Sequence, residues 1–373
     1  MTRRLRRFDW MMFIAIVALL VLSCLFIYSA DNRDADHMLG GLANRQMIWA
    51  LIGLGCYGGA AIFDYRKLNS LHWWIYLAAM TSLVLVLFIG MSVYGAHRWF
   101  SFGSITVQPS EFAKLAVIFT LAARLSNPAT DVEGFKTFIM MFVLTGIPFL
   151  LIAIEPDLGS AMMLVPIVVL LLFCAGIPLR PLLLLMGVGV TLLLILVAWL
   201  LFFPESCPLE DYQKSRILVY LNINQDPLGA GWNKLQSQIA VGSGGWFGKG
   251  YLKGTQNILG FLPQTVAPTD FIYSVVAEET GFAGSSLLLV LYTIVVARCM
   301  HAAVIARDLF GRLLAAGISV LVFSHVFINI AMTIGLMPIT GVPLPLMSYG
   351  GTFMVSTMTA LGLVQSVFLR RRI

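Results

Sequence analysis

Charge is what this sequence has least of. Of its 373 residues only 11% are charged, while 59% are hydrophobic; soluble domains carry roughly 25% charged residues. That excludes the soluble, two- or three-domain reading that length alone suggests. Cysteine is scarce too. Of the five, Cys24, Cys56 and Cys174 sit inside apolar runs, Cys299 follows one, and only Cys207 falls in a polar stretch. A disulfide scaffold is excluded, and the thiols read as small apolar filler. The five histidines are scattered, which removes a His/Cys transition-metal site. There is no Walker A pattern and no strand–helix glycine fingerprint, so nucleotide binding is not indicated. No Ser–His–Asp arrangement stands out.

What the chain has instead is long apolar runs, each near the roughly 20 residues that cross a bilayer. They place ten helices at about 10–30, 46–63, 71–92, 109–126, 136–154, 159–177, 181–203, 271–299, 310–334 and 345–368. The fold class is therefore an all-α polytopic membrane protein, one transmembrane domain over 1–373. The N-terminal MTRRLRRFDW precedes a long apolar run without a convincing cleavage site, and more spans follow, so it reads as an uncleaved first helix. The segment 204–270 is far longer than the other connections.

Lys and Arg set the orientation. One side collects Arg3, Arg4, Arg6, Arg7, Arg66, Lys67, Arg124, Lys136, Arg180, Arg298, Arg307, Arg312 and Arg370–Arg372, 15 of the 24. Short loops on the other side hold only Arg33, Arg45 and Arg98. Both termini are expected in the cytoplasm and 204–270 outside. The net charge of +6 then needs no nucleic acid, because the anionic inner leaflet accounts for it.

Against this apolar background the stretch VAPTDFIYSVVAEETG (266–281) is conspicuous. It brings Asp270, Glu278 and Glu279 to the start of the eighth helix. The two glutamates lie roughly 12–14 Å deeper along the axis. At ~100° per residue they point away from Asp270, so the three do not form one cluster. Thr269–Asp270 before an apolar helix suits an N-cap, and a functional carboxylate suits it equally. The two glutamates read as packing or pairing groups. Glu111 and Lys114 are i,i+3 on the fourth helix and close enough to neutralise each other. Glu155 and Asp157 flank Pro156, and Asp157 has the option of capping the sixth helix. Arg45 is placed to snorkel, and Arg98 beside Trp99 to anchor at the interface. The outer segment adds Arg216, Lys234, Lys249, Lys253 and the glycine-rich GSGGWFGKG (242–250), whose N–H groups suit an anion. Together these residues describe an outward-facing cavity with cationic walls and one carboxylate, suited to a lipid-linked phosphate or diphosphate.

NIAMTIGLMPITGVPLPLMSYGGT (329–352) resembles the signature of the SEDS family (shape, elongation, division and sporulation), with Ala331 where the family usually has glycine. Arg45–Gln46, GAHRWF (95–100), QPSEFAK (108–114), EPDLGSA (155–161) and WNKLQSQIAVGSGGWFGKGYLKGTQNILGFLP (232–263) occur in the family's order. GKG followed by GTQ is similar to the rod-shape branch rather than the division branch. Two departures stand before Asp270: Gln264 replaces the usual glutamate and Pro268 the usual histidine, with two extra residues between Pro263 and Asp270.

The resemblance implies a peptidoglycan glycosyltransferase at the outer face of the cytoplasmic membrane, polymerising lipid II into glycan strands during cell elongation. It transfers with inversion and releases undecaprenyl diphosphate. It implies Asp270, in TDFI, as the essential carboxylate, either the general base on the acceptor hydroxyl or a ligand of a divalent cation, Mg²⁺ or Mn²⁺. Arg45, Arg98, Lys114 and Arg216 are then expected on the diphosphate side, with Glu111 orienting Lys114 and Asp157, Lys249 and Ser348 in support. The implied partners are lipid II, the nascent strand, a class B penicillin-binding protein that crosslinks it, and other membrane proteins of the elongation complex. Two other functions fit a ten-helix bundle: a lipid II flippase, which predicts buried charge in both membrane halves, and a non-catalytic scaffold for the penicillin-binding protein.

Overall fold

The computed structural model describes residues 7–31, 41–93, 96–103, 105–132, 134–222, 226, 229–263 and 265–371. Arg3, Arg4, Arg6, Arg33, Gln264 and Arg372, on which the sequence reading drew, lie outside them.

Every expected span is a helix, with ends shifted by several residues. In chain order these are α1 (Trp10–Asp31), α2 (Gly41–Ile62), α3 (Lys67–Ile89), α4 (Pro109–Leu125), α5 (Phe135–Ile154), α6 (Leu158–Met162) with α7 (Leu164–Cys174), and α8 (Leu179–Phe202). The segment after α8 is not one loop but contains α9 (Asp211–Leu221), α10 (Ala230–Ser243) and α11 (Thr255–Ile258). The bundle closes with α12 (Ile272–Ile305), α13 (Leu309–Thr333) and α14 (Gly351–Leu369). The last helix, expected from residue 345, starts only at Gly351, because Pro343 and Pro345 keep the preceding turn out of helix. Three short strands escaped the sequence reading: β1 (Met91–Val93), β2 (Ala96–Phe102) and β3 (Ile105–Val107), an antiparallel meander after α3. It pairs Met91 with Trp99 and Phe100 with Val107.

Among the described residues seven helices are long and apolar enough to cross a membrane: α1, α3, α5, α8, α12, α13 and α14. The other three expected spans, α2, α4 and the α6–α7 pair, pack in the same bundle. α8 leaves nearly its whole apolar surface uncovered, including Leu183, Leu184, Val188 and Leu194, which lipid accommodates and water does not. The core runs through α4, α13 and α14, buried almost throughout. α14 lies on α2 at very close range: a Cβ at Gly362 would stand 2.5 Å from Tyr57 O, the close approach that small residues give membrane helices. The two termini lie at one end, where Arg371 Nη1 donates to Arg7 O (3.3 Å) and Arg298 Nε to Asp9 Oδ2 (2.8 Å).

At the opposite end α12 breaks. Gly281 has φ 64° and ψ −158°, outside helix geometry. The glycine-rich segment after α10 docks against this break through four backbone hydrogen bonds. Lys249 and Gly250 N–H donate to the carbonyls of Glu278 and Glu279 (both 3.0 Å), and Phe282 and Ala283 N–H donate to Gly245 O (2.8 Å) and Trp246 O (3.0 Å). The expected anion cradle is therefore engaged elsewhere, since the N–H groups of Lys249 and Gly250 already have carbonyl partners. Side chains reinforce the clasp. Glu278 Oε1 accepts from Lys249 Nζ (2.6 Å), Thr255 Oγ1 (3.0 Å) and Gln256 N (3.0 Å), while Glu279 accepts from Ser29 Oγ. The pairing role expected for the two glutamates is what the structure gives them.

A Cβ at Gly281 would stand 2.8 Å from both Gly245 O and Phe247 N. Gly281→Ala should lower stability by about 2 kcal/mol or more, from the backbone conformation and the clash together. Thermal unfolding in detergent checks this; an unchanged midpoint would contradict the clasp.

Candidate active site

Asp270 lies in the turn 265–271 just before α12. It does not cap that helix: the N-cap position is Phe271, with no side-chain cap bond. The capping alternative is thereby removed. Among the described residues no hydrogen bond or ion pair reaches its carboxylate, although its backbone is held from three sides. Asn329 Nδ2, on α13, donates both to Asp270 O (2.9 Å) and to Val342 O (2.8 Å). Ser348 Oγ donates to Thr269 O, and Tyr349 N–H to Pro268 O (2.8 Å). Leu344 N–H in turn donates to Ser348 Oγ (2.8 Å), so the turn 341–349 and the turn before α12 are one tied unit.

These turns form part of the wall of a cavity of about 240 Å³. Asp270, Asp157, Glu111 and Arg98 line it, with Gln108 and Tyr349 between them. The strand β2 delivers Arg98, whose Nε donates to Glu155 O (2.8 Å) and whose Nη2 donates to Pro156 O. Asp157 caps α6 by accepting from Ser160 N (3.1 Å), as its position suggested, and also accepts from Gln108 Nε2 (3.1 Å). Arg216, on α9, is not among the lining residues and donates from Nη1 to Thr340 O (3.1 Å). Neither Arg98 nor Arg216 forms an ion pair with a carboxylate among the described residues. Both are anchored on backbone carbonyls, which leaves their charge free for an anion.

The charges act on one another through the cavity. Burial pushes the Asp270 carboxyl up to about 6; Arg216 pulls against that, Asp157 adds to it, and Arg98 opposes it. Burial, with the repulsion of Arg98, holds the Arg216 guanidinium below its ordinary value. Glu155, buried behind Arg98, is pushed up to about 8 by burial and by Asp157, with Arg98 opposing.

Lys114 lies one layer deeper. It is fully buried and not among the residues lining the cavity. Its Nζ donates to Glu111 Oε1 (2.8 Å) and contacts His325 Nε2 (3.1 Å), while His325 Nδ1 contacts Pro343 O (3.2 Å). An ammonium only donates, so Nε2 is the acceptor and Nδ1 carries the proton given to Pro343. Glu111 and Pro343, both cavity residues, are thus joined through Lys114 and His325.

Of the expected site residues, Asp270, Arg98, Asp157 and Glu111 line one cavity, and Arg216, outside that lining, acts on Asp270 through its charge. Lys114 acts through Glu111, and Ser348 acts on the backbone before Asp270. Arg45 is exposed on α2 and does not line the cavity; its neighbour Gln46 is the buried one, donating to Ser23 Oγ (3.0 Å). Lys249 is paired with Glu278 in the clasp. His325 and Asn329 were missed, although two polar side chains four apart on an apolar helix are a signal in themselves. Among the described residues no group of three or more His, Cys, Asp or Glu is placed to hold a metal ion. The carboxylates of Asp157 and Asp270 suit a Mg²⁺ or Mn²⁺ ion only where water and substrate phosphate complete its shell.

The family model for cell cycle proteins of the FtsW/RodA/SpoVE type matches residues 9–373. The chain belongs to that family. It is 38% identical over 364 residues to the peptidoglycan glycosyltransferase MrdB of Escherichia coli strain K12, covering 98% of this chain and 94% of that protein. Its fold is similar to a chain in a structure on the coordination of polymerization and crosslinking by a peptidoglycan synthase complex. That match has a TM-score of 0.78 and 30% identity, over 97% of each chain. It is also similar to the crystal structure of the rod shape determining protein RodA of Thermus thermophilus, with a TM-score of 0.71 and 28% identity over 98% of this chain and 97% of that one. Membership accounts for the polytopic architecture.

Buried ion pairs are costly to break singly. Lys114→Met should destabilise by about 3–5 kcal/mol because it strands Glu111, whereas Lys114→Met with Glu111→Leu should lie near the wild type. Denaturant unfolding in detergent distinguishes them; a single variant as stable as the wild type would place the pair in water.

Proposed function

We propose that this chain is a peptidoglycan glycosyltransferase that polymerises lipid II at the outer face of the cytoplasmic membrane, in the elongation of the cell. The observation that carries this reading is Asp270: a carboxylate without a hydrogen-bonding or ionic partner among the described residues, in a cavity that Arg98 lines and within the electrostatic reach of Arg216, both arginines being tied to carbonyls. The names of its relatives support the activity, and the basic residues gathered at the end of the bundle bearing both termini support the orientation.

The acceptor sugar's 4-hydroxyl attacks the anomeric carbon of the lipid-linked sugar. As that C–O bond forms, the hydroxyl proton passes to Asp270, and the bond from the anomeric carbon to the diphosphate oxygen breaks. A carboxyl near pH 6 is ionised at neutral pH yet basic enough to take the proton. Arg98 and Arg216 face the charge that grows on the leaving diphosphate. Glu111, steadied by Lys114, and Asp157 with Gln108 orient the polar wall. A divalent ion arriving with the diphosphate would be held by Asp157 or Asp270 and would neutralise phosphate charge.

The proposed partner is a class B penicillin-binding protein, with other membrane proteins of the elongation complex. An apolar groove of about 380 Å³ between α12 and α13, lined by Tyr292, Thr293, Ala297, Phe323 and Phe327, is suited to a partner's membrane helix.

Purified protein with its cognate partner, the transpeptidase blocked, should make glycan polymer from lipid II. Asp270→Asn, which keeps the size and removes the charge, should lower the rate roughly 100-fold or more, with Mn²⁺ and EDTA arms run beside it. Equal polymer from both proteins would end the assignment of Asp270. No polymer from either would favour the scaffold or flippase reading.

A further inference from the structure

We infer that the segment 244–254, with the exposed side of α10, is not an aqueous loop but an interfacial anchor that seats Trp246 and Phe247 among the acyl chains of the adjoining leaflet. The inference does not rest on the reaction proposed above.

Depth is the first argument. Tyr251 OH donates to Leu25 O (2.9 Å), and Asn257 Nδ2 donates to Ser29 O (2.6 Å). Counted from Trp10, where α1 begins, Leu25 and Ser29 lie about 22 and 28 Å along the helix at ~1.5 Å per residue. The hydrocarbon core is about 30 Å thick, and tilt of α1 only lowers both levels within it. The segment therefore touches α1 at or just inside the boundary of the core.

Surface chemistry is the second. Trp246 is 71% exposed, Phe247 83% and Phe282 60%. The Trp246 and Phe282 rings meet edge to face at 5.1 Å, which makes the patch continuous with the bilayer-facing side of α12. Leu235 and Ile239, four apart on α10, add an exposed apolar stripe. Lys253 is exposed beside them, with a stem long enough to lift its ammonium to the headgroups. Aromatic rings with flanking lysine are the composition of a membrane interface.

The backbone is the third. Irregular chain at membrane depth survives only where its polar groups are satisfied by protein. The clasp supplies part of this: two N–H groups of the segment bond to Glu278 and Glu279 carbonyls, the carbonyls of Gly245 and Trp246 accept from Phe282 and Ala283, and Gly248 and Lys253 N–H bond locally to Gly244 O and Gly250 O. Lys249, the charge nearest the tip, is neutralised by Glu278 at 2.6 Å.

The test uses the whole chain in lipid nanodiscs. In a background with its five cysteines replaced, a nitroxide at Phe247→Cys is compared with one at Asp211→Cys, an exposed position at the start of α9, for collision with oxygen and with a nickel chelate. The anchor predicts that the label at position 247 collides with oxygen at least about three-fold more often relative to nickel than the label at position 211. Equal nickel access at both would overturn it. A label-free arm keeps the cysteines: brominated acyl chains should quench tryptophan fluorescence of the wild type more than that of Trp246→Phe. Identical quenching would likewise overturn the anchor.

Discussion

Much of this architecture depends on keeping one carboxylate partly buried without giving it a partner. Desolvation opposes the charge on Asp270, and the ordinary remedies, a helix cap or a direct ion pair, are absent among the described residues. The position is held through the main chain instead. Asn329, Ser348 and Tyr349 fix the carbonyls of Asp270, Thr269 and Pro268, so the side chain is placed without being engaged. Arg98 and Arg216 follow the same logic in the opposite sign. Each is anchored on carbonyls of a loop, so its position is set while its charge stays available. Such a cavity, with its charges fixed in place before a substrate arrives, needs little reorganisation when charge shifts in the transition state.

Rigidity behind the cavity comes from α4 and α13. The chain Glu111–Lys114–His325–Pro343 links the two helices to the turn that faces Asp270, with the Glu111–Lys114 charge pair buried within it. On α13, His325 and Asn329 stand one turn apart and hold the consecutive carbonyls of Pro343 and Val342. The same helix face therefore sets both the wall of the cavity and the backbone of the carboxylate. Further along α12, the clasp at Gly281 secures the segment after α10 independently, through carbonyls and N–H groups on either side of the helix break.

The spans were legible because apolar runs of bilayer length have few alternatives. The α6 cap at Asp157 was legible because a cap is local. The Glu111–Lys114 pair was legible by its i,i+3 spacing. What the sequence hid is non-local. GSGGWFGKG has the composition of an anion cradle, but its hydrogen-bond partners are backbone groups some thirty or more residues on, which no local pattern announces. Arg45 looked equivalent to Arg98 until the meander β1–β3 turned Arg98 onto the cavity and α2 left Arg45 outside it. Lys114 looked like a ligand for phosphate because burial is not written in a side chain's identity. Asp270 was legible as important, but its freedom from a cap appears only once the helix is seen to begin after Phe271.

The central claim is that Asp270 works as a base whose charge is balanced by its guanidinium neighbours. The measurement that tests it most directly is the pH dependence of polymer synthesis, wild type against Arg216→Gln. A base must be ionised to act, so the wild-type rate should fall as pH drops through about 6. Arg216 holds that value down, so its removal should move the acid limb upward by about one pH unit. An acid limb that stays in place, or moves downward, would contradict the account.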